Sequence, residues 1–256
     1  MNRRTAANRN FYEAYWRAPD ATREALWKEW WEPAYARLLE LAGDLRGRRV
    51  LVLFAGDGAL LPRLAAAGAG IVAVDLASSG LRRIRARDSV PVVQADVHEL
   101  PFAAATFDLV VPINGLCHTD AARVLREAAR VLRPHGRVVL LEVLRWSPVA
   151  LLARLFDPFF WRAPHRLLSL RRIRGDLPLA ARRVHTFFLA SVLGVCLLRL
   201  APRSRELRAL QRGLLAFDHA LLRAVPALGH LAYVGVAELA APPAANPTPR
   251  QRAAPP

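Results

Sequence analysis

The sequence predicts an α/β fold: a parallel sheet with helices on both faces, a helical segment before it and a helical insertion behind it. Three observations carry this expectation. Val50–Phe54 and Ile71–Val74 are short unbroken apolar runs, the pattern of strands buried on both faces. Between them the chain turns on Ala55-Gly56-Asp57-Gly58, runs through the helix formers Ala59–Ala67, and stops at Gly68 and Gly70. Val90–Gln94, Phe107–Ile113 and Val138–Val143 then continue the alternation of strand and helix.

In chain order, Met1–Asn10 is polar and basic, and reads as a mobile tail. Phe11–Trp31 is dense in aromatics: Phe11, Tyr12, Tyr15, Trp16, Trp27, Trp30 and Trp31. They serve either to pack this segment on the sheet or to cover a ligand as a lid, and the two roles are compatible. Asp20 is a candidate helix start, and Pro33 ends or kinks that helix before Ala34–Leu41. Ser78-Ser79 can cap a helix reaching about Arg87. Thr119 or Asp120 caps another that runs to Leu132 and is closed by Arg133-Pro134-His135-Gly136. Tyr233–Leu239 reads as a last edge strand, and Ala240–Pro256 as a disordered Pro/Ala tail. The expected divisions are thus residues 1–42, 43–144, 145–239 and 240–256.

The glycine turn carries the first functional signal. Gly56 and Gly58 let the backbone approach a ligand, and the helix after them presents free N–H groups. Asp75, at the tip of the second strand, can accept two hydrogen bonds from a ribose diol. The pattern asks for a nucleoside-bearing cofactor. It is not the dinucleotide fingerprint, because Leu61 stands where a third glycine belongs.

Downstream lie VVQADVHELPFAAATFDLVV (Val92–Val111) and REAARVLRPHGRVVLLEV (Arg126–Val143). With the glycine turn they make three ordered blocks, and over Arg48–Leu144 the chain resembles the class I S-adenosylmethionine-dependent methyltransferases of the small-molecule type. The resemblance implies a Rossmann-like sheet and S-adenosyl-L-methionine as cofactor. It implies cofactor contacts from Phe54, Ala55, Gly56, Gly58, Asp75, Leu76 and Asn114. It gives Asp96 and Val97 the adenine, although a helix or turn cap also explains Asp96. Three positions depart from the family pattern: Val52 replaces an acid, Phe54 a glycine that would widen the pocket, and His135 the first of a glycine pair.

The loop Asn114-Gly115-Leu116-Cys117-His118 follows the fourth strand, at the sheet edge where open α/β folds bind ligands. His118 is the candidate general base, because it sits on that loop and titrates near neutrality. A structural role competes, and His98, His135 and Glu142 are weaker candidates.

Composition narrows the partners. The formal charge is +16, and Lys28 is the only lysine. Arg145–Arg223 holds 15 arginines against Asp157, Asp176, Glu206 and Asp218. There Trp146, Phe156, Phe159, Phe160, Trp161, Phe187 and Phe188 alternate with the arginines. In Arg205–Val225 the apolar Leu207, Leu210, Leu214, Phe217, Leu221 and Val225 recur at three and four, opposite Arg208, Arg212 and His219. We expect this region to be a helical cap that builds the acceptor site and touches an anionic membrane surface. Phe187–Leu198 is the longest apolar run and falls short of the roughly 20 residues a span needs. Cys117 and Cys196 make no disulfide framework or metal site, and a cytoplasmic setting follows. The expected function is methyl transfer to a small or lipid-like acceptor. The alternatives are an inactive methyltransferase-like scaffold and a nucleic-acid methyltransferase, which would explain the charge but lacks its N/D-P-P-Y/F-type motif.

Overall fold

A computed structural model describes residues 3–17, 26, 29–148, 151 and 166–240. Trp27, Phe156, Phe159, Phe160, Trp161 and the Pro/Ala tail from residue 241 lie outside the described residues.

Seven strands form one sheet: β1 (Arg49–Leu53), β2 (Gly70–Asp75), β3 (Val92–Gln94), β4 (Phe107–Pro112), β5 (Leu132–Val143), β6 (Ala180–Phe187) and β7 (Val234–Ala240). Their order is β3-β2-β1-β4-β5-β7-β6. The first five pair in parallel, and β7 runs antiparallel to both β5 and β6. The chain reverses direction across the sheet between β1 and β4, so the loops after those strands open a crevice at their carboxyl ends.

Strand alternation divides the core. Val50 and Val52 face one layer, where α2 (Glu32–Ala42), α3 (Leu61–Ala66) and α4 (Ser78–Arg87) lie. Leu51 and Leu53 face the other, against α5 (Ala121–Val131), which contributes Val124, Leu125, Ala128 and Val131. Each such leucine, fully buried, contributes about 1.5–3 kcal/mol. Val52 is wholly buried, so its packing takes the place of the acid of the family pattern. Pro33 falls in the first turn of α2, where its missing N–H costs nothing. Trp30 stacks on Phe188 and Tyr233, with centroids 4.5 and 5.3 Å apart, and fixes α2 near β7.

Four expectations change. Tyr233–Leu239 maps to β7, which is an inner strand; the edge is β6, which follows the short helix α6 (Leu170–Gly175) in a region expected to be helical. The expected tail is helical from Arg3, as α1 (Arg3–Arg17). No side chain of Ser78 or Ser79 caps α4. The amphipathic helix α8 (Arg205–Ala224) packs against α7 (Ser191–Leu200) with Gln211 and Asp218 buried, while Leu210 and Phe217 stay exposed. The physical reason is Asp218: its carboxylate accepts from the N–H groups of Leu189, Ala190 and Ser191 at 2.8–2.9 Å. That cap on α7 sets the rotation of α8 and turns the leucine stripe outward.

Candidate functional site

After β1 the backbone reverses through Phe54–Leu60. Gly56 (φ 53°) and Gly58 (φ 78°) adopt the left-handed conformation without a Cβ penalty. Phe54 adopts it as well, at φ 58°, at a cost of about 1–2 kcal/mol. Its ring lies against Gly115, where an added Cβ would fall among the ring carbons. The glycine turn and the β4 loop therefore interlock through Phe54. Ala55 N–H donates to the Val74 carbonyl at 3.0 Å, and Arg87 Nη2 donates to the Asp57 carbonyl at 2.9 Å.

Asp75 closes β2 beside this turn. Its Oδ2 accepts from Gly56 N–H and its Oδ1 from Ala77 N–H, both at 2.8 Å. Burial raises its pKa despite these donors. Leu76 follows, and its carbonyl accepts from the Gln94 amide at 3.0 Å. Asp75 pairs with Gln94 across β2–β3, so Asp96 lies two residues beyond, at the same sheet edge. Asp96 Oδ1 accepts from His98 N–H at 3.0 Å and lies 2.6 Å from His98 Nδ1, while Val97 is buried.

The β4 loop forms the opposite wall. Asn114 sits at φ 49° and donates its N–H to the Leu141 carbonyl at 2.8 Å. Glu142 Oε1 accepts from Gly115 N–H at 2.9 Å and from Leu116 N–H at 2.8 Å. Burial pushes Glu142 up to about 7 even so. It is fully buried, which makes it the seat of the loop and denies it contact with an acceptor. His135 (φ 65°) occupies the amino-terminal part of β5, across the sheet from this edge.

Helix α1 crosses the whole edge. Glu13 accepts from Ser78 N–H at 2.6 Å and Ser79 N–H at 3.0 Å, and so caps α4 in place of the serines. Burial works against its charge, but these donors hold it down at about 2. A Cβ on Gly56 would lie 2.6 Å from Trp16 Cζ2, so the indole covers the glycine floor. Tyr12 Oη lies 2.7 Å from His118 Nε2, and Asn8 Nδ2 donates to the His118 carbonyl at 3.0 Å. Burial pushes the Tyr12 phenol up well above its ordinary value. Sequence reasoning missed Asn8 and Glu13. Their signal was the spacing 8, 12, 13, 16, which places all four residues on one helical face.

The family profile described as a methyltransferase domain matches residues 53–140, from the end of β1 into β5. Over that stretch the chain carries the methyltransferase-domain pattern. The chain is 35% identical over 145 residues to the demethylmenaquinone methyltransferase of Clavibacter sepedonicus, covering 55% of this chain and 58% of that protein. It is 36% identical over 128 residues to the ubiquinone/menaquinone biosynthesis C-methyltransferase of Idiomarina loihiensis, covering 46% and 48%. The chain spans about half the length of the curated relatives it matches. A Haloferax volcanii methyltransferase solved with its Trm112 activator superposes with a TM-score of 0.63 at 17% identity, over 91% of this chain and 98% of that one. Geranyl diphosphate C-methyltransferase of Streptomyces coelicolor A3(2) gives 0.57 at 15% identity, over 82% and 78%. Both share the fold.

The residues present suit the cofactor of this family. Gly56 and Gly58 form a floor without side chains, Asp75 and Asp96 put two carboxylates at one edge, and Trp16 of α1 covers Gly56. Among the described residues, no helix is long and apolar enough to cross a membrane.

Proposed function

We propose that the chain is an S-adenosylmethionine-dependent methyltransferase acting on a small, lipid-like acceptor of the quinone-ring kind. The observation that carries this is the shared edge of the glycine turn, Asp75 and the His118 loop, in a chain similar to named quinone methyltransferases. When bound, S-adenosylmethionine supplies an electrophilic methyl group on a sulfonium sulfur.

The chain's own residues bind, orient and shield. Asp75 holds the ribose hydroxyls, Asp96 with Val97 holds the adenine, and Phe54, Ala55, Gly56, Gly58, Leu76 and Asn114 complete the cofactor's bed. Much of the rate comes from holding the acceptor at attack distance. A ring carbon or hydroxyl must also lose a proton, and His118 takes it through Nε2 once Tyr12 yields that position. The Trp16 indole covers Gly56, so α1 lifts to admit the cofactor.

Calorimetry with S-adenosylmethionine and S-adenosylhomocysteine tests the binding step, and labelled methyl transfer to demethylmenaquinol tests the acceptor. Binding is expected from both ligands. The absence of heat at millimolar concentration of either would end the proposal.

A further inference from the structure

The outer face of the α7–α8 hairpin is apolar where a helix pair on a water-soluble surface would be polar. Leu193, Leu197 and Leu200 of α7 are 55%, 42% and 84% exposed. On α8, Leu210 and Phe217 are 46% and 54% exposed, on the line that Leu214 and Leu221 continue at spacings of four and three. The two stripes meet where Gly194 packs on α8, since a Cβ there would lie 3.2 Å from Leu214 Cδ1. The outward rotation is built in, because Asp218 is committed to capping α7 and holds the neighbouring face of α8 inward.

Charge flanks this face. Arg205, Arg212 and Arg223 are separated by seven and eleven residues, both near whole numbers of turns, so they form one exposed row. The exposed small residues Ala209, Gly213, Ala216, Ala220 and Ala224, with Glu206 at the start of the helix, separate that row from the leucine stripe. Glu206, the one acid exposed on α8, sits in its first turn and accepts from Ser204 Oγ at 2.7 Å. An apolar stripe edged by long cationic side chains matches the boundary between acyl chains and phosphates, with arginine heads reaching out to the phosphates.

We infer that the α7–α8 hairpin docks the protein on an anionic phospholipid bilayer, with Leu193, Leu197, Leu200, Leu210 and Phe217 inserted and the Arg205–Arg212–Arg223 row on the headgroups. This surface is separate from the cofactor cradle, and docking needs no cofactor. A lipid partner fits the face better than a second copy, because the arginine row would meet its own like charge or solvent in a dimer while a phosphate layer neutralises it.

Flotation of the full chain with vesicles of phosphatidylcholine, with and without phosphatidylglycerol, tests the inference without any cofactor present. Recovery is expected to be highest on phosphatidylglycerol vesicles at low salt and to fall as salt rises. Combining Arg205→Gln, Arg212→Gln and Arg223→Gln should lower affinity for those vesicles roughly 100-fold, about five-fold for each arginine. Combining Leu197→Ser, Leu200→Ser and Phe217→Ser should abolish binding to both vesicle types while leaving the melting temperature close to that of the wild type, because these side chains are exposed. Two results overturn the inference. One is equal, negligible recovery of the wild type on both vesicles at low salt, which needs no variant. The other is a dimer that the serine variants dissociate, without vesicle binding by the wild type.

Discussion

Substituting Gly115 by alanine probes the contact that ties the glycine turn to the β4 loop. Gly115 has φ −128°, so alanine fits its backbone and the whole penalty comes from Phe54, whose ring occupies the place of the new methyl group. Overpacking of this kind costs about 1–3 kcal/mol. In a Phe54→Gly background the ring is gone, the left-handed strain of about 1–2 kcal/mol at position 54 is relieved, and Gly115→Ala should cost close to nothing. The double-mutant cycle therefore predicts a coupling of about 1–3 kcal/mol between the two sites. A chain of this size shifts its melting temperature by about 2–4 °C per kcal/mol, so scanning calorimetry should resolve a difference of several degrees between backgrounds. Equal losses in both backgrounds, or none in either, would refute the interlock.

The remaining predictions concern charge. Glu142 has a folded pKa of about 7 against 4.5 when unfolded, so the folded state binds more protons between those values and stability falls as pH rises through that window. Glu142→Gln keeps an acceptor for the Gly115 and Leu116 N–H groups and should flatten that slope in denaturant titrations. Glu13 is shifted the other way, so its contribution is present above about 4.5 and is lost as pH falls toward about 2. Glu13→Ala removes charge-assisted bonds worth about 1.5–3 kcal/mol and should speed proteolysis of α1 roughly 10- to 100-fold. Asp75→Ala should weaken S-adenosylmethionine binding roughly 10- to 100-fold by calorimetry. His118→Ala should lower methyl transfer by about two to four orders of magnitude with cofactor affinity nearly intact; an unchanged rate would leave His118 a structural residue.

The parallel half of the fold was legible because buried strands announce themselves by composition. Val50–Phe54, Ile71–Val74 and Phe107–Ile113 each fall within a residue or two of β1, β2 and β4. β6 was not legible: Ala180–Phe187 carries Arg182 and Arg183 side by side at a break in register, which erases the alternation of an edge strand. The apolar period of α8 was visible, but not which way it faced, since Asp218 decides that through the N–H groups of residues 29, 28 and 27 positions earlier. In the site, the glycine turn and the strand end at Asp75 could be read, because both follow from local chain geometry. Glu13 could not, because capping a helix some 65 residues away leaves no mark near either partner.

On the proposed function, the placement of α1 makes the protein its own competitive ligand. While Trp16 rests on Gly56 and Glu13 on the start of α4, the cradle is counted among the filled states, and an incoming cofactor draws only on the molecules in which the helix has lifted. Its apparent dissociation constant is then the intrinsic one divided by that open fraction, so each tenfold reduction in opening is a tenfold loss in measured affinity. The binding rate should also level off with rising cofactor concentration, at the frequency with which α1 releases. By linkage, whatever weakens α1 elsewhere along its length tightens the cofactor by the same factor.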